Sequence, residues 1–220
     1  MDTNGHVPCA GATGIDAIFN LSTRDMNRLA LQMHVLGAQA LGLENVVVLQ
    51  GDEFSEKDLT CTKAVGDMTS TELLASIREM SGGRDFRGLR LSAPTTLCSG
   101  ATIDLGKGIE AEASLVRRKI EAGAEFIIAQ SIYDPAPRSE FLKCYELATG
   151  ESLREPVFWG VQLLVKDGLV FGEPPAHLVR DIEKGRSPIE VAIEVAGVLR
   201  KAGADAFYAI EDGKLSYRGI

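Results

Sequence analysis

The chain has 220 residues, 45% of them hydrophobic and 25% charged, which is the composition of an ordinary globular protein and the length of one sizeable domain. Its net charge is −8 with no basic cluster, so the phosphate-neutralising term that drives nucleic-acid binding is missing and no nucleic-acid partner is expected. No run approaches the roughly 20 consecutive apolar residues of a membrane span. The first residues, Met1 to His6, lack the basic start and apolar run of a secretory signal. No membrane partner and a cytoplasmic location are the expectations. Cys9, Cys61, Cys98 and Cys144 are scattered without a C-x-x-C pair, which reads as reduced thiols. His6, His34 and His177 show no metal-ligand spacing.

Short apolar runs alternate with helix-period segments along the chain. A first strand is expected at Ala17–Ser22, followed by the longest amphipathic stretch, Arg24–Leu41. Asn45–Leu49 reads as the second strand, Ser70–Met80 as a helix and Leu89–Pro94 as the third strand. Helix Ile109–Ala122 then leads to strand Phe126–Gln130, and helix Ser139–Leu147 to strand Val157–Val165. Two helices, Ala176–Glu183 and Pro188–Ala202, precede the last strand, Ala206–Ile210. The strands are continuous apolar runs, as in a parallel sheet buried on both faces. Strand and helix in alternation imply right-handed βαβ crossovers.

The helix ends share a plan. Ala122-Gly123-Ala124-Glu125-Phe126 and Ala202-Gly203-Ala204-Asp205-Ala206 are near copies, and Leu41-Gly42-Leu43-Glu44-Asn45 follows them. A glycine there ends a helix in the left-handed conformation before the next strand. Gly14 fits the same plan with no full helix before it, as though it closed a helix whose start the sequence lacks. The expected fold is α/β, a (β/α)₈ barrel type that is incomplete, with about six units visible. A closed barrel of about 250 residues would want roughly 50 more. The whole of 1–220 reads as a single barrel-type domain, with 1–16 a remnant or irregular segment. An open doubly wound sheet is the alternative, but its glycine-rich dinucleotide fingerprint is absent. An incomplete barrel exposes strand edges and apolar faces, so a homo-oligomer or a partner chain is expected.

In strand–helix barrels, chemistry gathers where strands end and loops begin. Arg24-Asp25-Met26-Asn27-Arg28 opens the long helix: Ser22 or Asp25 caps it and the arginines are solvated, or these groups bind a charged ligand. Gly51-Asp52 follows the second strand, where Asp52 is a turn former or a carboxylate accepting from a ligand's paired N–H donors. Gln130 closes an otherwise apolar strand, as a loop hydrogen-bonder or as an amide that orients a ligand. Arg117-Arg118-Lys119, late in a helix, complements its dipole. The glycine-rich stretch Ser99–Gly108 precedes a helix N-terminus and reads as a loop able to cradle a phosphate, although it matches neither standard phosphate motif. No nucleophile triad is evident, because His34 falls mid-helix.

Taken in order, these segments resemble the methylenetetrahydrofolate reductase family. The resemblance rests on Ser22-Thr23-Arg24-Asp25-Met26-Asn27-Arg28-Leu29-Ala30-Leu31-Gln32, Gly37-Ala38-Gln39-Ala40-Leu41-Gly42 and Asn45-Val46-Val47-Val48-Leu49-Gln50-Gly51-Asp52. It continues through Arg118-Lys119-Ile120-Glu121-Ala122-Gly123-Ala124-Glu125-Phe126 to Gln130 and Asp134, and covers about residues 17–210. It implies a (β/α)₈ barrel that reduces methylenetetrahydrofolate to methyltetrahydrofolate, with NADH or NADPH as hydride source and, in most members, FAD as relay. By that similarity Asp52 is the catalytic residue beside the flavin and also contacts the pterin, and Gln130 hydrogen-bonds the folate. Asn20, Arg24, Gly51, Asp52, Arg118 and Lys119 would form the cofactor side, with Arg118 and Lys119 toward the flavin's phosphates. A tetrahydrofolate derivative is the implied ligand.

The family's early strands carry a glutamate that acts as general acid, and this chain begins after its place. Asn20 stands where many members have histidine, and Ser92–Leu97 lacks the aromatic and histidine residues that often line the flavin. Some divergent members work without flavin. Two alternatives to a reductase follow: a tetrahydrofolate-dependent methyltransferase or demethylase component, and a catalytically silent folate-binding subunit completing its barrel with a partner.

Overall fold

Strands and helices alternate in the computed structural model, which describes residues 16–211, with two helices in succession before the last strand. In chain order they are β1 (Ile18–Ser22), α1 (Arg28–Ala40), β2 (Asn45–Leu49), α2 (Ser70–Ser81), β3 (Cys98–Ile103) and α3 (Ile109–Ala122). Then come β4 (Phe126–Ser131), α4 (Pro135–Thr149), β5 (Val157–Gln162), α5 (Ala176–Glu183), α6 (Pro188–Lys201) and β6 (Ala206–Ile210). The pairs β1–β2, β2–β3, β4–β5 and β5–β6 are all parallel. Six parallel strands alternating with helices are the α/β architecture of barrel type that the sequence leads one to expect. No helix among the described residues is long and apolar enough to cross a membrane.

Contacts divide the chain into two compact units, one of residues up to 102 with 118–126, the other of 103–117 with 127 onward. In the first, β2 is the middle strand, with Ile18 opposite Asn45 and Asn45 opposite Cys98. Val46, Val47 and Val48 are buried, as a strand covered on both faces requires. Helix α1 buries Leu31, Val35 and Ala38, and α2 buries Leu73, Leu74, Ile77 and Met80, each at helical spacing. Thr69 and Glu72 form a reciprocal capping box at the start of α2, with the Thr69 N–H donating to Glu72 at 2.7 Å and the Glu72 N–H to Thr69 Oγ1 at 3.2 Å.

In the second unit, β5 is the middle strand and its Trp159 is 2% exposed. Phe141 of α4 meets Trp159 edge-on at 6.4 Å between centroids. The Arg138 guanidinium lies 5.5 Å over the same indole and donates to the carbonyls of Ala202 and Gly203, at 2.9 and 2.6 Å. One arginine thus satisfies orphan carbonyls at the end of α6 and ties α4 to it.

Several boundaries move. Helix α1 starts at Arg28, because Asn27 is the cap and its Oδ1 accepts from the Ala30 N–H at 2.9 Å, so neither Ser22 nor Asp25 caps it. Helix α4 starts at Pro135, with Asp134 capping and proline in the first turn, before the expected Ser139. Strand β5 stops at Gln162 and not at Val165. Gly42, Gly123 and Gly203 adopt positive φ as the repeated helix ends require. Gly14 lies outside the described residues.

The third strand is the main correction. Leu89–Pro94 is not a strand of the sheet, and Cys98–Ile103 is, so the first half of the presumed phosphate-binding loop is β3. The rest of that loop turns on Asp104, whose carboxylate accepts the Gly106 N–H at 3.1 Å. The first turn of α3 already holds Glu110 and Glu112, and buried Glu112 accepts the Asp104 N–H at 3.2 Å. Carboxylates there oppose an anion. The backbone of Leu89–Pro94 pairs with the turn before it, the Leu91 N–H donating to the Gly83 carbonyl at 2.9 Å and the Leu89 carbonyl accepting the Asp85 N–H at 2.8 Å. Its flanks are held by α1: the Phe86 N–H donates to Gln32 Oε1 at 3.0 Å, and the Thr96 N–H to Gln39 Oε1 at 2.7 Å. Helix α1 thus pins both ends of this segment with two side-chain amides, away from the sheet.

Strand β3 is built from small residues because Phe126 crosses it. A Cβ on Gly100 would fall 2.7 Å from Phe126 Cδ2 and closer still to the ring's outer carbons. Gly100→Ala is therefore expected to destabilise the protein by about 1–3 kcal/mol, the usual cost of overpacking. The shift is read from urea unfolding midpoints, with Phe126→Leu restoring part of it in the double variant.

Candidate functional site

In the first unit the loop after β2 is bound to the end of β1 through one arginine. The Thr23 and Arg24 N–H groups donate to the Leu49 and Gln50 carbonyls at 3.0 Å each, extending the β1–β2 pairing by two residues. Gly51 follows with φ +86°, and a Cβ there would meet Ser22 Oγ at 2.7 Å and Arg24 Cβ at 3.0 Å. Only glycine suits both the dihedral and the space. Arg24 then grips the loop: Nη1 donates to the Asp52 carbonyl at 2.7 Å, and Nε to Asp25 Oδ1 at 2.6 Å. Its guanidinium lies 4.0 Å over the Phe54 ring, and its own carbonyl accepts the Val65 N–H at 2.7 Å.

This clasp fixes the backbone of Asp52 and leaves its carboxylate exposed, with no hydrogen bond or ion pair among the described residues. Hydrogen bonding to Asp25 raises the Arg24 pKa, and the same bond holds Asp25 below the usual carboxylate range. Asp58 is lowered too, by the hydroxyl and N–H of Ser55. A depressed carboxylate contributes stability that is present at neutral pH and is lost as pH falls through its lowered value. The clasp is therefore intact from neutral pH down to the ordinary carboxylate range. Arg24→Ala is expected to free the loop, so that trypsin cleaves at Lys57 and Lys63 several-fold faster. Arg24→Lys does not restore protection, because an ammonium cannot span the fork.

The other residues expected on the cofactor side fall as follows. Asn20 is exposed on β1, opposite Val47. Arg118 is exposed on α3. Lys119 is 5% exposed, and its Nζ donates to the Thr102 carbonyl at 2.5 Å. A flavin pyrophosphate asks for convergent, available donors. Arg24 is engaged by Asp25, Asp52 and Phe54, Lys119 is inside, and Arg118 alone of the three is an exposed cation. That donor set does not fit the group.

In the second unit Gln130 sits in a break of the sheet. Ala129 opposes Trp159 and Ser131 opposes Gly160, so Gln130 is the extra residue of a β-bulge and is exposed. The bulge exists because Gly160 allows it: a Cβ there would lie 2.9 Å from the Ala129 carbonyl oxygen and 3.0 Å from the Ser131 nitrogen. Ser131 Oγ beside it is buried with no hydrogen-bond partner among the described residues. Asp134, four residues on, is taken up in capping α4.

Sequence reasoning missed a polar anchor at the next strand end. Buried Gln162 accepts the Phe171 N–H at 2.9 Å, and its Nε2 donates to the Leu169 carbonyl at 2.6 Å. The Tyr133 hydroxyl lies 2.9 Å from Gln162 Oε1 and 3.1 Å from the Phe171 carbonyl. Burial pushes the Tyr133 pKa up to about 12, so it remains a donor across the working pH range. The signal was available: Gln162 closes an apolar strand just as Gln130 does, but extending β5 to Val165 hid it. Phe54, the one aromatic residue of the first-unit loop after β2, was passed over as well.

A family model described as methylenetetrahydrofolate reductase matches residues 8–166. No curated relative matches the chain. Among solved structures, an uncharacterized protein from Clostridium thermocellum that binds two copies of 5-methyl-5,6,7,8-tetrahydrofolic acid is 14% identical. The match covers 89% of this chain and 88% of that one, with a TM-score of 0.43. A phosphonopyruvate hydrolase, in complex with oxalate and Mg++, is 16% identical over 92% of this chain and 60% of its own, with a TM-score of 0.45. The family model spans well over half of the sequence, and on that ground the chain belongs to the methylenetetrahydrofolate reductase family.

Proposed function

We propose that this protein binds a reduced folate and serves one-carbon metabolism in the cytoplasm as a methylenetetrahydrofolate reductase. Besides the family, the observation that carries the reading is the Asp52 carboxylate, exposed and without a hydrogen bond among the described residues, on a backbone fixed beyond β2 by Gly51 and Arg24. An ionised carboxylate with both oxygens available suits the paired N–H donors of a pterin edge. Gln130, aimed out of its strand by the bulge, both donates and accepts and is the second residue proposed to read folate.

In the reaction proposed, a hydride leaves the reduced nicotinamide and joins the methylene carbon. The bond from that carbon to N10 breaks, N10 takes a proton, and the nicotinamide is left oxidised. The unfitting donor set for flavin phosphates favours a nicotinamide that reduces the folate directly. The test is a turnover assay with methylenetetrahydrofolate and NADH or NADPH, with FAD added and omitted, beside titration of folate binding. Turnover without added FAD is expected. Folate binding with no nicotinamide oxidation would leave a silent folate-binding subunit; turnover of a methyl donor with tetrahydrofolate and no nicotinamide would make it a methyl-transfer component.

A further inference from the structure

The outward face of α1 is unlike the surface around it. From Leu29 to Leu43 there is no Asp, Glu, Lys or Arg, in a chain that is 25% charged. A helix facing water ordinarily carries charge on that side. Here Leu29, Met33 and Leu41 are 57%, 59% and 61% exposed, while the opposite face buries Leu31, Val35 and Ala38. Gly37 completes the exposed row, with nothing within 4 Å of where a Cβ would stand. Leu29, Met33, Gly37 and Leu41 are four apart, and so form one ridge along the helix.

We infer that this ridge is the interface of a two-fold dimer in which α1 packs antiparallel on α1 of a second copy. The ridge is complementary to itself. An antiparallel pair centred at Val35 sets Leu29 against Leu41 of the other copy and the large Met33 against the gap at Gly37, each contact occurring twice. Interdigitated ridges of four-residue spacing are the commonest helix-packing class. Charge selects the site: two copies of net charge −8 repel, and here they meet without bringing like charges together. Helix α6 also exposes Ile189 and Ile193, but it carries Glu190, Glu194 held by Arg186, Arg200 and Lys201, the ordinary charged surface of a solvated helix. One pair of 13-residue helices lies near or below the low end of the roughly 1,200–2,000 Å² of a stable interface, so a micromolar dissociation constant is expected.

Sedimentation of the full chain from nanomolar to hundreds of micromolar tests this directly. A concentration-dependent dimer is expected. Met33→Glu alone and Gly37→Lys alone should each weaken it at least about tenfold, by burying an unpaired charge or filling the gap. Both sites are exposed, so Met33→Glu should leave the monomer's unfolding midpoint in place, and Gly37→Lys should hold or raise it, because a glycine inside a helix is the less stable residue. An equimolar mixture of the two variants should recover a heterodimer, since the new charges face each other across the interface. A wild-type monomer throughout, a dimer indifferent to Met33→Glu, or a mixture that stays monomeric overturns the proposal. So does a dimer that forms only when residues 1–15 are removed, which would make the leading segment the occupant of the ridge.

Discussion

Gly160→Val should cost about 3 kcal/mol, the upper end of the overpacking range, because nothing around it can give. The atoms nearest a Cβ are the Ala129 carbonyl oxygen, the Ser131 nitrogen and the Gln130 carbonyl carbon, all backbone and all within 3.1 Å. A flexible side chain could rotate aside; two parallel strands at a bulge can only separate. Urea unfolding should show a lower midpoint at an unchanged slope, which marks a loss of stability and not a change in the denatured chain. Gly160→Ala, smaller but in the same cleft, should retain the fold and weaken folate binding by displacing Gln130. A fully stable Gly160→Val protein would contradict the strand spacing described.

Asp52→Asn separates recognition from folding. The carboxylate makes no hydrogen bond among the described residues and meets Arg24 only through an exposed electrostatic attraction, so its loss should barely move the unfolding midpoint. A hydrogen bond to a charged group contributes about 1.5–3 kcal/mol, so folate affinity should fall by roughly 10- to 100-fold. The neutral amide keeps the shape and lacks the charge. It also presents an N–H toward a ligand edge already made of donors. Gln130→Ala, a neutral hydrogen bond, should cost only about 2- to 10-fold. Isothermal titration with a reduced folate separates the two residues. Unchanged affinity in Asp52→Asn would remove the main support for the proposed function.

The parts of this fold legible in the sequence were those written by burial. Asn45–Leu49 is three valines between flanking residues, and no other element type suits such a run; α3, α5 and β6 were equally plain from apolar spacing. Strand β3 was not legible, because Cys98-Ser99-Gly100-Ala101-Thr102-Ile103 is chosen for the space under Phe126 and not for β propensity. The apolar run Leu89–Pro94 took its place in the reading because nothing in its own residues says that Gln32 and Gln39 will bind the neighbouring backbone. Cap identity was decided by which oxygen reaches which N–H, and that turned on the chain's path around Asp25 rather than on composition.

The site divides in the same way. Gly51-Asp52 and Gln130 could be singled out because each breaks the pattern of the strand it follows or closes. Arg24 was singled out too, but its role depends on distances: an arginine available to an anion and one clasping Asp25 and Phe54 are the same letter. Lys119 was read as one of several cations near a helix end, and only its packing shows that its ammonium turns inward to Thr102.

The bulge at Gln130 also separates two things that usually change together. The residues on either side already face successive partners on β5, Ala129 to Trp159 and Ser131 to Gly160. Removing the one residue between them would leave a continuous ladder, the same hydrophobic layers and no outward amide. At this strand the capacity to present a ligand-reading group is an insertion rather than a substitution. A shorter relative could fold as well as this chain and still lack the group, so chain length between Phe126 and Ile132 is itself a marker to look for.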